Sequence, residues 1–336
     1  MDSSPFQFDC ADPANLLSDG MLRSIPWVVL SAVTLGLFHP ARSPAAEKLP
    51  ALIPSLALQA LLKSAVEKTV HQFKSAALRS DQLAVTLIDL RQPARLLHAS
   101  LRGKILIYPA SVIKLFYLAA AHRWIEDARL ADTPELQRAL RDMIVDSSND
   151  ATHYVIDLLT GTTSGPEIPE AEIQDWWDKR NAVTRYFTSL GYTGINASKK
   201  PWSDGPYGRE SQAIRRFEPK RNWLSTDATA RLFAEIALER CVSPARSRAM
   251  LTLLARDPRT TDPDPDHQAK FTGPILPTGA HLWSKAGWTS QTRHDATCVE
   301  LPNGSRFVLV IFTTDHANER EIIRSLAATI INGLSS

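Results

Sequence analysis

The run "RFVLVIFTT" (306–314) is apolar at every position from Phe307 to Phe312. A strand with alternating polarity needs cover on one face; an unbroken apolar strand needs cover on both. The rest of the chain must therefore supply a layer on each side of it. Just upstream, Asn303-Gly304 is the residue pair that a tight hairpin turn requires, so 296–314 reads as a hairpin. "HLWSKAGW" (281–288) reads as a further strand, and "DQLAVTLIDL" (81–90) and "RLLHAS" (95–100) as two more joined by "RQPA". Apolar residues at helical spacing mark 54–77 and 317–334 at the two ends. From Pro109 to about Phe271 the chain reads as helix and loop, with candidate helices at 111–127, 134–145, 150–159, 171–190, 226–240 and 244–255. The expected fold class is α+β. A five-stranded antiparallel sheet carries the N- and C-terminal helices on one face and a large all-helical insertion, 109–275, on the other.

Ahead of this domain, "MLRSIPWVVLSAVTLGLFHPARSPAAEK" has the three parts of a secretory signal peptide. Arg23 is the positive start, Ile25–Phe38 the apolar stretch of 14 residues, and "SPAAE" the cleavage region near Ala45 or Ala46. The stretch is short for a spanning helix, and an uncleaved anchor is the alternative. Residues 1–20 are acidic and awkward before such a leader, which makes Met21 an alternative start. The domain expected to carry the chemistry is 47–336. Cys10 would leave with the leader. Cys241 and Cys298 could form one bridge in an oxidising compartment or stay as two buried thiols.

The formal net charge is +2 without a basic run, so nothing points to nucleic acid. None of the 9 histidines pairs with another at metal-ligand helical spacing, and neither metal nor cofactor is implied. His122 reads as a core or capping residue. The Pro/Asp stretch 256–270 reads as a solvated loop rather than a cation site.

Three short patterns carry chemistry. In "YPASVIKLFYLAAAHRW" (108–124), Ser111 and Lys114 lie three apart at the start of a segment that is apolar almost all round. A serine hydroxyl needs a base to become a nucleophile, and a buried lysine can be one. The plainer alternative is a helix start whose lysine snorkels outward. In "MIVDSSNDATHYVIDLL", Ser147-Ser148-Asn149 sits between two helical runs, where Ser148 or Asn149 could equally be an ordinary N-cap. In "LWSKAGWTS", Lys285-Ala286-Gly287 puts a lysine beside a small-residue gap, or is a strand that happens to contain a glycine.

In this order and context, S-x-x-K, S-x-N and K-x-G resemble the penicillin-recognising serine hydrolases, in particular the class A β-lactamase branch, over roughly 55–334. The resemblance implies a hydrolase of cyclic amides with Ser111 as acylated nucleophile and Lys114 as its base. It implies that Ser147 relays a proton to the leaving nitrogen, that Asn149 holds the substrate's side-chain amide, and that Lys285 attracts the substrate carboxylate. The backbone N–H groups of Ser111 and Trp288, just after Gly287, would form the oxyanion hole. Two positions depart from the pattern: Ser148 stands where Asp is usual, and Ala286 where Thr or Ser is usual, with Thr289, Ser290 or Arg293 as stand-ins for the missing hydroxyl. The interval Ser111–Ser147 is short at 36 residues, and Ser147–Lys285 is long at 138, with extra material around 160–222. No E-x-x-L-N pattern supplies a deacylating glutamate. Glu210 and Glu218 stand 15 and 7 residues before Ser225, and Glu210 suits the class A arrangement better. For both, a surface ion pair is the plain alternative.

The expected function is thus a secreted or periplasmic monomeric hydrolase of β-lactams, a small-molecule substrate. A D-alanyl-D-alanine carboxypeptidase or esterase on peptidoglycan-like substrates is the first competitor. A non-catalytic cell-wall binding module is the second.

Overall fold

The computed structural model describes residues 47–202 and 204–335. The expected leader (21–46), the stretch before it (1–20) and Cys10 lie outside the described residues.

Among the described residues the strands are, in chain order, β1 (Ile53–Pro54), β2 (Leu83–Asp89), β3 (Leu97–Leu101), β4 (Ile195–Asn196), β5 (Trp223–Leu224), β6 (Ala255–Arg256), β7 (His281–Trp288), β8 (Thr292–Glu300) and β9 (Arg306–Thr314). The main sheet runs β1-β3-β2-β9-β8-β7-β6, and β4 and β5 pair separately. This corrects the expected five-stranded antiparallel sheet. The five long strands are antiparallel to one another, but β1 joins one edge parallel to β3, so the sheet has seven strands and is mixed. Both added strands are two residues long. A strand so short has no polarity period to read; it exists because a neighbouring edge offers free hydrogen-bonding groups.

β9 lies at the centre of the sheet, with β2 and β8 on either side. Phe307, Leu309 and Ile311 enter one core, against α1 (Leu56–Gln72) and the C-terminal helix. Val308, Val310 and Phe312 enter the other, beneath the helical block. That block holds α2 (Lys114–Glu126), α3 (Pro134–Ile144), α4 (Asn149–Thr160), α5 (Glu170–Arg180), α6 (Ala182–Ser189), α7 (Gly208–Arg216), α8 (Thr226–Ala237) and α9 (Pro244–Leu254). The closing helix is α10 (Glu321–Ser335). The layers follow from the two-sided burial that an unbroken apolar strand demands.

Two expected helices are divided. The run 171–190 breaks at Asn181, whose amide Nδ2 donates to Trp177 O at 2.8 Å and competes with the backbone ladder. The run 111–127 opens as a 3₁₀ turn, Ala110–Ile113, and becomes α-helical only at Lys114. Residues three apart eclipse in a 3₁₀ turn, which aligns Ser111 with Lys114 more closely than an α-helix would. α2 is buried from Lys114 to His122, so it is the central helix of the block.

Candidate active site

The Ser111 turn is held from two sides. Ala110, just before it, has φ +45°, a conformation costly for a side chain other than glycine. β7 presses against the same turn. A Cβ built on Gly287 would lie 2.7 Å from Ser111 N and 2.8 Å from Pro109 O, so no other residue fits while the strand stays this close. The adjacent strand contributes His294, which pairs with Gly287. Its Nδ1 accepts from Thr313 N (3.1 Å), which leaves the proton on Nε2 to be donated to Tyr108 O (2.9 Å). Burial pushes this imidazole down to about 4, so it stays neutral and acts as a strut. Ser111 itself is partly exposed.

Lys114 has no exposed surface. Its Nζ donates to Ser147 O (2.5 Å), Asn149 Oδ1 (2.9 Å) and Ser147 Oγ (3.3 Å). Lys285, equally buried, donates from the other side to Ser147 Oγ (3.0 Å), Gln268 Oε1 (2.6 Å) and Ala286 O (2.8 Å). Ser147 has φ +56°, which bends the chain so that its hydroxyl and carbonyl both face the amines. Among the described residues no carboxylate forms an ion pair with either lysine. At Lys114 burial acts alone, and at Lys285 it outweighs the charge of Asp295. Burial brings Lys114 down to about 7, and with the nearby charge of Lys114 it takes Lys285 well below the ordinary lysine range. Ser148 caps α4 by accepting from Ala151 N at 3.1 Å, as the plain reading of S-x-N has it. A serine caps about as well as the aspartate it replaces.

The remaining expected site residues lie elsewhere. Glu210 is buried on α7, where its carboxylate meets Arg180 Nη2 (2.7 Å) and Ser164 Oγ (2.9 Å). Among the described residues no hydrogen bond joins it to Ser111, Lys114 or Ser147. Glu218 is exposed beside Lys220. Arg293 pairs with Trp288, one register step from the Gly287–His294 pair, and so belongs to the sheet face opposite Lys285. There its guanidinium meets Asp266 Oδ1 at 2.7 Å and lies 4.1 Å from the Phe271 ring centroid. Ala286 points the same way, into the core under the terminal helices, so a hydroxyl at that position would not face Lys285. Trp288 is exposed at the end of β7, and Thr289 and Ser290 follow it in the turn.

A cleft of about 460 Å³ opens beside this turn, lined by Tyr108, Trp202, Arg221, Asn222, Thr289 and Thr292 among others. It adjoins the Ser111 turn at Tyr108. Among the described residues no group of three or more His, Cys, Asp or Glu is placed to hold a metal ion. Cys241 and Cys298 are both free and buried, and His122 is a core residue, as the sequence suggests. No helix among the described residues is long and apolar enough to cross a membrane.

Two residues at the site carry no sequence signal. Gln268 lies in the stretch 256–270 read as a solvated loop, yet it is buried against Lys285. His294 belongs to none of the three short patterns in the sequence. A pattern within one segment could not have found either, because their partners come from other segments.

A sequence model of the Beta-lactamase enzyme family matches residues 129–334, a span that takes in Ser147, Asn149 and Lys285 and starts after Lys114. No curated protein matches the chain. Among solved structures the chain is similar to a beta-lactamase from Sphaerobacter thermophilus, at 18% identity and TM-score 0.59 over 81% of this chain and 97% of that one. It is similar to a mutant of PBP-A captured as its acyl-enzyme complex with penicillin G, at 19% identity and TM-score 0.57 over 85% and 99%. It is also similar to the TLA-3 extended-spectrum beta-lactamase, at 14% identity and TM-score 0.58 over 83% and 100%. At these identities the structural likeness is one of fold.

Proposed function

Because the chain belongs to the beta-lactamase enzyme family, we propose that it is an exported serine hydrolase that opens β-lactam rings through an acyl-enzyme on Ser111. The observation that carries this reading is the meeting of two buried amines, neither paired with a carboxylate, at one hydroxyl, Ser147 Oγ. A fold does not need such an arrangement, and the charge it buries is costly. With Lys114 brought down to about 7 by burial, its amine can be free to take a proton near neutral pH. Ser111 Oγ attacks the lactam carbonyl and its proton passes to Lys114. Charge on the carbonyl oxygen is met by the N–H groups of Ser111 and Trp288, whose strand the gap at Gly287 lets come close. As the C–N bond breaks, the proton travels from Lys114 through Ser147 to the ring nitrogen. Lys285 and Asn149 orient the substrate through its carboxylate and its side-chain amide. Water then attacks the ester and frees Ser111.

A second reading is favoured by one observation. Glu210 spends its carboxylate on Arg180 and Ser164, so the half of the cycle that activates water lacks a clear base. A carboxypeptidase or esterase on peptidoglycan-like substrates would be acylated by penicillin and recover slowly. The non-catalytic binding module gives the two unpaired amines no task.

Time-resolved intact mass of the protein mixed with a simple penicillin tests these readings, with Ser111→Ala as control. A transient adduct with full consumption of the penicillin is the expected result. A long-lived adduct moves the assignment to the second reading. An adduct on Ser111→Ala removes Ser111 as nucleophile, and no adduct on either protein overturns both enzymatic readings.

A further inference from the structure

We propose that Gln268 is a positioning residue, which holds Lys285 against Ser147 with an uncharged acceptor so that neither buried lysine is pinned as a permanent ammonium ion. The inference rests on the reading of Lys114 and Ser147 as the proton-handling pair, with Lys285 held against the same Ser147 hydroxyl. Its geometry, however, stands by itself. A glutamine amide can donate twice and accept twice, and all four positions of Gln268 are used. Its Nε2 donates to Ile144 O (2.8 Å) and Val145 O (2.7 Å). Its Oε1 accepts from Lys285 Nζ (2.6 Å) and Ala286 N (3.3 Å). The side chain is 4% exposed.

The two carbonyls belong to the C-terminal end of α3, where helix carbonyls lack partners within the helix. Only Asp146 separates them from Ser147. One amide therefore joins the turn that carries Ser147 to the strand that carries Lys285 and fixes the gap between them. Arg256 Nη2 reinforces the same end, at 3.0 Å from Ile144 O.

Charge explains why the residue is an amide. Lys285 feels the charges of Lys114 from α2, Arg256 from β6 and, through the sheet, Asp295 from β8, and it bonds to the neutral Ser147 and Gln268. A carboxylate at 2.6 Å in place of the amide would favour the ammonium form at Lys285 and hold it there. The amide gives Lys285 a partner for one N–H and adds no charge, so protonation of Lys285 and Lys114 remains coupled and adjustable.

The test is a pH titration of ¹³Cε-lysine signals by NMR in the full-length protein, with the Lys285 signal identified by its loss in Lys285→Met. In Gln268→Met, which keeps the volume and removes the acceptor, the Lys285 midpoint should fall by about one pH unit while other lysines hold. In Gln268→Glu, residue 268 and Lys285 become a coupled pair whose last proton should leave at higher pH than in the wild type. Thermal melts establish that each variant is folded, and either variant alone suffices if the other does not fold. Midpoints that superimpose on the wild type in a folded variant overturn the proposal, because a residue that only packs would leave them unmoved. No substrate enters the measurement. Failure of penicillin to acylate Ser111 would thus sink the proposed function and leave this result to be judged separately.

Discussion

Two clusters, one where the helical block meets β7 and one within the block, each bury a pair of cations, and they treat them in opposite ways. Around Ser147, Lys114 and Lys285 meet only neutral groups: two serine oxygens, an asparagine, a glutamine and a backbone carbonyl. Around Glu210, Arg180 meets Glu210 at 2.7 Å and Asp157 at 3.4 Å, and Lys200 meets Asp157 at 2.7 Å and Ser164 Oγ at 2.8 Å. The second cluster joins α4, α5, α7 and the segment at Lys200, and its charges balance. In the first no carboxylate bonds to either lysine, and burial draws both toward the neutral form although the charge of Asp295 on β8 acts on Lys285. Similar burial thus gives a brace in one place and, on the proposed function, a proton acceptor in the other. What differs is the presence of carboxylates.

The largest effect that would test this contrast is at Lys114. Lys114→Ala should slow acylation by penicillin about 10²- to 10⁴-fold at pH 7, the range typical of a lost general base. In the wild type the acylation rate should climb as pH rises through about 7, because the lowered lysine gives up its proton there and only the neutral amine can act. A stopped-flow pH series reads both. A variant that acylates at the wild-type rate would show that the unpaired cluster does not supply the base.

Next in size is the brace. Glu210→Gln should cost about 3 kcal/mol in a urea titration, since it strips a fully buried guanidinium of its nearer carboxylate. The lifetime of any acyl-enzyme should not change. The opposite pair of results, intact stability with a lengthened acyl-enzyme, would return Glu210 to the deacylating role that its sequence position suggests and would dissolve the distinction between the clusters.

Much of this contrast was legible in the chain and some was not, for physical reasons. The unbroken run Phe307–Phe312 dictates two layers because polarity period maps directly onto faces. Ser111 and Lys114 are legible together because three residues of one turn fix their alignment. The partners of Glu210 were not, because Arg180 and Ser164 lie 30 and 46 residues away. Gln268 reaches Val145 over 123 residues and His294 reaches Tyr108 over 186. Arg293 is an intermediate case. Period-two alternation separates it from Lys285, but only once the turn after Trp288 sets the register between β7 and β8.

The smallest effect concerns the inverse arrangement, one carboxylate between two cations. Asp266 accepts from Arg293 at 2.7 Å and from Arg320 at 2.9 Å through each oxygen. Arg320 and then Arg293 hold it down to about 2. A carboxyl lowered in the folded state adds stability above its unfolded value, near 3.9, and loses it as pH falls through about 2. Asp266→Asn should therefore be less stable than the wild type at pH 5 and converge with it below about pH 2. The gap should be smaller than for Glu210→Gln, because Arg320 is 41% exposed and water and salt screen the pair. Added salt should narrow it further, whereas it should barely touch the loss at Glu210. Equal salt sensitivity at the two sites would mean that the brace is as wet as the clamp, and burial would no longer explain why one cluster of the block is rigid and the other reactive.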